Sequence, residues 1–181
     1  MTSPQASPHQ LDQVVQSSLV SVSRDRIILH ADITPGASIA SGFFAAIDTD
    51  GDGSVSAAEG MSWARRWSGK VRTEVDGRRL ELVADSATVP DAGSLASGSA
   101  IIRLSFSSAW QGSDGRHVFL MTNDNDPQLS VYLVNAALPG AGVSIVRQER
   151  DASQQVYSLV YEVQSPRSVP QQISSWLLIG A

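Results

Sequence analysis

Twelve consecutive residues, 48–59 (DTDGDGSVSAAE), carry the chain's clearest chemistry. Asp48, Asp50 and Asp52 alternate with small residues, so their carboxylates can converge on one point. Gly53 stands where the backbone must turn sharply, in a conformation glycine tolerates best. Ser54 offers a backbone carbonyl, Ser56 an oxygen used directly or through a water, and Glu59 two carboxylate oxygens. The spacing is D-x-[DN]-x-[DN]-G-x5-E, the calcium-loop pattern. A hard cation such as Ca2+ takes six to eight oxygens at ~2.3–2.6 Å, and this segment supplies only oxygens, four of the donors being anionic. The plainer alternative is a polar turn, since Asp and Gly are the commonest turn residues. The complete set of alternating carboxylates with a distal Glu favours a Ca2+ site formed by Asp48, Asp50, Asp52, Ser54, Ser56 and Glu59.

Such a loop needs a helix on each side. Ala37 to Ile47 places Ile39, Phe43, Phe44 and Ile47 on one broad face, and Pro35-Gly36 precede it as a helix start. Ala57 to Trp67 puts Met61, Ala64 and Trp67 at three-residue steps, with Ser56 and Glu59 spaced as a capping box and Ser68-Gly69 as a stop. The expectation is an EF-hand helix–loop–helix over residues 36–68. Its aromatic stripe, Phe43, Phe44, Trp63 and Trp67, reads as core rather than as a ligand groove. No second loop accompanies it. Asn123-Asp124-Asn125-Asp126 lacks the Gly and the distal Glu and is followed by Pro127, so it reads as a turn between strands, with an accessory cation contact as the alternative. A lone loop, with Val55 at its eighth position, either packs on its own domain or pairs across a dimer.

Most of the remaining chain reads as strands. Leu19 to Ile33 is rich in β-branched residues and broken by Arg24-Asp25. Val71 to Val75 and Arg78 to Val83 flank Asp76-Gly77, a two-residue hairpin signal. Ala100 to Phe106, His117 to Asn123, Leu129 to Asn135, Val143 to Glu149 and Val156 to Val163 follow, separated by turn clusters. Eight or nine short strands in this rhythm predict a mainly β chain, an antiparallel Ig-like β-sandwich with the helix–loop–helix inserted. Ala92 to Ser99 reads as a flexible loop. Residues 1–10 are expected as a flexible tail, 11–164 as one domain and 165–181 as a Pro/Gln/Ser-rich tail or linker.

The chain has 181 residues, a net charge of -5 and no cysteine. That length suits one domain able to bury a sizeable core. The acidity argues against nucleic acid and anionic membranes as partners. Without cysteine there are no disulfides, thiolate metal sites or Cys nucleophiles. MTSPQASPHQ, at the start, has no basic or apolar region of a secretory signal. WLLIGA, residues 176–181, is shorter than a membrane span.

The runs His9 to Gly36, Ile47 to Gly60, Val75 to Leu82 and Leu129 to Pro139 together resemble a bacterial group of EF-hand-containing extracytoplasmic domains. These are similar to the soluble regions of hydrogenase/urease-accessory and nickel/cobalt-permease-like membrane proteins. The resemblance spans about residues 9 to 163, and only the calcium loop is sharply specific. It implies a β-rich domain outside the cytoplasmic membrane, in the periplasm or at the cell surface, beside a protein partner or a membrane-protein neighbour.

No catalytic constellation is apparent. His9, His30 and His117 have no metal-ligand spacing, and there is no nucleophile elbow, P-loop or dinucleotide fingerprint. Glu74, Glu81, Glu149 and Glu162 read as polar faces of strands. The expectation is therefore a non-enzymatic domain, with Ca2+ stabilising the fold or a partner-binding surface. The alternatives are a calcium sensor, disfavoured by a single Met in the helix pair (Met61), and a soluble module of a nickel/cobalt transport or hydrogenase/urease accessory system. Nickel would prefer imidazole to an oxygen-only loop.

Overall fold

The computed structural model describes residues 11–165. The tails expected over 1–10 and 165–181, with His9, fall outside the described residues, Ser165 apart.

Ten strands form: β1 (Val14–Val22), β2 (Arg26–Pro35), β3 (Val71–Val75), β4 (Arg78–Leu80), β5 (Val83–Thr88), β6 (Ile102–Ala109), β7 (Gly115–Asn123), β8 (Ser130–Ala136), β9 (Val143–Arg150) and β10 (Val156–Val163). Three helices accompany them: α1 (Ala40–Ile47), α2 (Ala57–Ser68) and α3 (Ala92–Ala96). The strands make two five-stranded sheets, β5-β6-β2-β1-β8 and β4-β3-β7-β10-β9. Inward side chains of both sheets enter one hydrophobic core, among them Val20, Leu29, Phe106, Phe119, Tyr157 and Leu159. The chain is thus mainly β, in a two-sheet arrangement compatible with a sandwich.

Local chemistry explains most of these elements. β2 alternates cleanly, with Ile27, Leu29, Ala31 and Ile33 inward. The β3–β4 hairpin turns on Asp76 and Gly77, with φ of 51° and 76°, the left-handed pair that a two-residue turn requires. On α2, Ser56 caps the start with the full capping box to Glu59, and Ala64 and Trp67 face inward.

Several expectations need correction. Among the described residues there are ten strands rather than eight or nine. The stretch expected as one strand, Arg78 to Val83, divides: β4 pairs with β3, and the chain then crosses to the other sheet, where β5 pairs with β6. β1 begins at Val14, not Leu19, because its inward positions include Gln16 and Ser18, polar residues that break the apolar alternation. The pairing is not wholly antiparallel, since β1 and β8 run parallel, Val14 opposite Ser130 and Val20 opposite Ala136. Residues 92–99 contain α3, capped by the Asp91 side chain and anchored by the buried Leu95. Helix α1 starts at Ala40 rather than Ala37.

Gln16 is the centre of a buried hydrogen-bond knot. Its Oε1 accepts from Trp67 Nε1 at 3.3 Å and from Asn123 Nδ2 at 3.2 Å. Its Nε2 donates to the Asn125 carbonyl at 2.8 Å and to Ser130 Oγ at 2.7 Å. Asn125 Nδ2 donates in turn to the Trp67 carbonyl at 3.0 Å and to Asn123 Oδ1 at 2.9 Å. Tyr132 closes the set by donating to the Asn125 carbonyl at 2.6 Å. One side chain thereby links α2 to both sheets.

Removing it should be costly. Gln16→Ala is expected to destabilise the fold by about 1–3 kcal/mol for each buried partner left without a hydrogen bond. The reading is a lower urea midpoint at unchanged slope, with the neighbouring, outward Val15→Ala as control. A midpoint equal to that of the control would show that the knot contributes nothing.

Candidate metal centre

The loop between α1 and α2 is shaped by its own carboxylates. Asp48 Oδ1 accepts from Gly51 N and Oδ2 from Gly53 N, each at 3.0 Å. Asp50 Oδ1 accepts from Asp52 N at 3.1 Å, and Asp52 Oδ1 from Ser54 N at 2.8 Å. These bonds wind the backbone inward, and the winding needs left-handed turns at Gly51 (φ 72°) and Gly53 (φ 86°). A Cβ at either position would meet nothing within 4 Å, so the glycines serve conformation rather than space.

The result is a carboxylate cluster: one oxygen each of Asp48, Asp50 and Asp52 lie within 4.8 Å of one another. Asp48 is buried at the loop's base, whereas Asp50 and Asp52 are exposed. Among the described residues no Lys or Arg forms an ion pair with any of them. Three carboxylates held this close could hold a metal ion between them. The donor set contains only oxygen, which suits a hard divalent ion.

Glu59 is placed differently. Its Oε1 accepts from Thr49 N at 2.5 Å, Thr49 Oγ1 at 2.9 Å and Asp50 N at 3.2 Å. Oε2 accepts from the Ser56 amide and hydroxyl, both at 2.9 Å. In this conformation the carboxylate ties the two ends of the loop together and stands outside the three-aspartate cluster. Ser54 enters through its amide, and Ser56 through its cap on α2. So the structure gathers Asp48, Asp50 and Asp52 and sets Ser54, Ser56 and Glu59 around them as loop-forming contacts. The Ser56 backbone amide first, then the Ser56 and Thr49 hydroxyls, holds the Glu59 pKa down from 4.5 to about 2.

Val55 packs against the core, and Gly60 lets α2 lie close on β5, where an added Cβ would be 3.4 Å from Ala87 Cβ. Asn123-Asp124-Asn125-Asp126 makes no accessory contact with the loop. Asn123 and Asn125 turn into the buried knot at the C-terminal end of α2, roughly 16 Å along the helix from Ser56. Of its two carboxylates, Asp126 faces Lys70 at 3.3 Å.

One further constellation escaped the sequence reading. His117 is buried, its Nδ1 lying 2.7 Å from Asp76 Oδ2 and its Nε2 2.9 Å from the Ser113 carbonyl. Both neighbours are acceptors, so the ring fits its surroundings best with a proton on each nitrogen. Burial opposes that charge, but the Asp76 and Ser113 contacts outweigh it and raise the His117 pKa above 6.5. With both nitrogens engaged, the pair clamps the loop after β6 to the β3–β4 turn and offers no free nitrogen to a substrate. His30 is exposed on β2, far along the chain from any partner imidazole. The separation of 41 residues between Asp76 and His117 left no local signal to find the clamp.

Comparison with known proteins gives no matching family model, no matching curated sequence and no matching solved structure. What fold and site define is a mainly β, two-sheet domain carrying a helix–loop–helix with a three-aspartate cluster. Among the described residues, no helix is long and apolar enough to cross a membrane.

Two pH effects follow, of opposite sign. Glu59 has a depressed folded-state pKa, so its contribution is full above about 4.5 and is lost as pH falls toward about 2. Glu59→Gln should flatten that part of the acid-unfolding curve; an unchanged curve would remove Glu59 from the account. His117 has a raised pKa, so its contribution is full below 6.5 and is lost as pH rises through the folded-state value. Asp76→Asn should lower the His117 pKa followed by NMR titration, and a His117 that titrates below 6.5 in the wild type would contradict the clamp.

Proposed function

We propose that this is a calcium-binding, non-enzymatic domain, in which Ca2+ in an EF-hand loop stabilises the fold or a partner-binding surface. The observation that carries the reading is the convergence of Asp48, Asp50 and Asp52 within 4.8 Å in an oxygen-only loop. Asp48, Asp50 and Asp52 would hold the ion, with Ser54, Ser56 and Glu59 completing the set expected from the motif. Bound Ca2+ would supply charge neutralisation and no reaction chemistry. Because α2 is pinned to β5 and to the knot, an ion gathered at its N-terminal end would add its binding free energy to that of the fold. A structural role is favoured over a sensor for the same reason: with α2 packed on β5 and Phe44 and Ile47 of α1 in the core, the helices have little freedom to swing apart.

An extracytoplasmic setting, implied by the resemblance, suits such a site. Calcium there is near millimolar, so even an affinity of ~10⁻⁴–10⁻³ M would keep the loop filled. The link to nickel or cobalt transport finds no imidazole cluster among the described residues, and the loop's donors do not fit those ions.

Thermal unfolding in EDTA, in millimolar Ca2+ and in millimolar Mg2+ tests the reading. A rise of several degrees in the midpoint with Ca2+ alone is expected, since an ion bound only by the folded state raises its stability. Asp48→Ala should abolish the rise while leaving a folded protein in EDTA. Glu59→Gln should weaken Ca2+ binding and also lower the EDTA midpoint, because its carboxylate holds the loop closed without metal. Equal midpoints in all three conditions would withdraw the calcium assignment.

A further inference from the structure

The aromatic stripe of the helix pair serves both the core and a cleft, and Trp67 belongs to both. Phe44 and Trp67 are buried, Trp67 stacking on Phe106 at a centroid distance of 5.4 Å. Phe43 and Trp63 are only half-buried. They line a cleft of about 500 Å³ at the open end of the helix pair, away from the acidic loop. Ile39, Gly42 and Ala46 of the α1 segment line it too, as does Leu129. Gln16 and Asn125 of the knot form polar points in the lining, their hydrogen bonds already made within the protein. This volume and lining fall within the range of small-ligand pockets, ~300–1,000 Å³ and mainly apolar.

The charges around the cleft select the ligand. Of its lining residues, Arg66 and Lys70 are cationic and Asp126 is anionic, a net +1 in a chain whose total is -5. Arg66 Nη2 donates to the Ala46 carbonyl and Nη1 to Ser62 Oγ, each at 3.0 Å, so the guanidinium is held between the two helices. Five donors leave N–H groups over for a further acceptor. Lys70 meets Asp126 at 3.3 Å in a half-exposed pair, a contact worth little and readily exchanged. Aromatic and aliphatic walls with two cations beside them match an organic acid, not a cation or a neutral lipid chain.

We propose that the cleft between α1, α2 and the 125–129 segment binds a small apolar organic acid, its body between Phe43 and Trp63 and its anionic group at Arg66 and Lys70. The site is independent of whether a cation fills the loop.

The test uses the full chain, folded, in EDTA and again in Ca2+. The probes are 8-anilinonaphthalene-1-sulfonate, an aromatic anion, and N-phenyl-1-naphthylamine, its uncharged relative. Saturable binding of one anionic probe per chain is expected in both buffers. Arg66→Gln with Lys70→Gln should weaken the anion about tenfold, the scale of a lost charge-assisted contact, and leave the neutral amine nearly unchanged. Gly42→Leu is the decisive variant: a Cβ there meets nothing within 4 Å and leucine favours helix, so the protein should fold with the cleft filled. It should abolish both probes. Leu133→Ser, on the exposed face of β8, should change neither. Retained binding in Gly42→Leu, loss in Leu133→Ser, or equal weakening of both probes by the charge variants would each overturn the proposal. A calcium titration that fails while these results hold would sink the metal assignment alone.

Discussion

Gln16 is the side chain on which the arrangement turns. It is buried in β1, and a buried amide is tolerable only when both its ends are hydrogen-bonded. Meeting that condition draws in Trp67 from α2, Asn123 from β7, the Asn125 carbonyl and Ser130 from β8. The two sheets and the helix pair are thereby placed relative to one another by directional contacts, which hydrophobic burial alone does not supply. In a low-dielectric interior such a network is valuable only if complete, since each missing member leaves a costly orphan. Asn125 and Tyr132 supply the remaining partners.

The acidic loop hangs from the other end of the same helix. Its backbone conformation is set by short-range chemistry: aspartate oxygens accept from amides two to five residues ahead, and two glycines accept the left-handed turns. Concentrating Asp48, Asp50, Asp52 and Glu59 in twelve residues is electrostatically unfavourable without a counter-charge. Glu59 is relieved by hydrogen bonds from Thr49, Asp50 and Ser56, and it also sits in the first turn of α2, where the helix dipole favours an anion. The three aspartates accept fewer hydrogen bonds each, all from amides of the loop itself. Loop and fold are coupled because Ser56 and Glu59 belong to both: they cap α2 and close the loop.

How much of this was legible in the chain depends on range. The capping box and the Asp76-Gly77 turn are local patterns, and each appears in the structure where its spacing places it; of the dodecamer's side chains, Asp48, Asp50 and Asp52 come together. β2, β8 and β10 were readable because apolar residues occupy their inward positions, and β7 because Val118 to Met121 is an unbroken apolar run, although its inward positions also include His117 and Asn123. The start of β1 was not, since Gln16 and Ser18 point inward and look like an exposed face. Asn123 to Asp126 does form the turn between β7 and β8, as its residues suggest, but the burial of Asn123 and Asn125 was not legible. Buried polar residues resemble turn residues until their partners, 107 and 109 positions from Gln16, are known. The crossing of the chain from β4 to β5 and the parallel pairing of β8 with β1 depend on what each strand meets, and a strand's own residues do not say.

The sequence by itself determined the elements whose causes lie within a few residues: the carboxylate spacing, the glycines that permit it, the caps and most strands. Side-chain period and hydrogen-bond reach are short-range properties, and they are written in neighbouring letters. Tertiary structure decided the rest. It set which way Glu59 turns its oxygens, that Val55 packs against the core, and that Phe43 and Trp63 line a cleft while Phe44 enters the core and Trp67 reaches both. It also made His117 a clamp with Asp76. Each of these depends on a donor, an acceptor or a packing surface brought from elsewhere in the chain, and only the folded backbone brings it there.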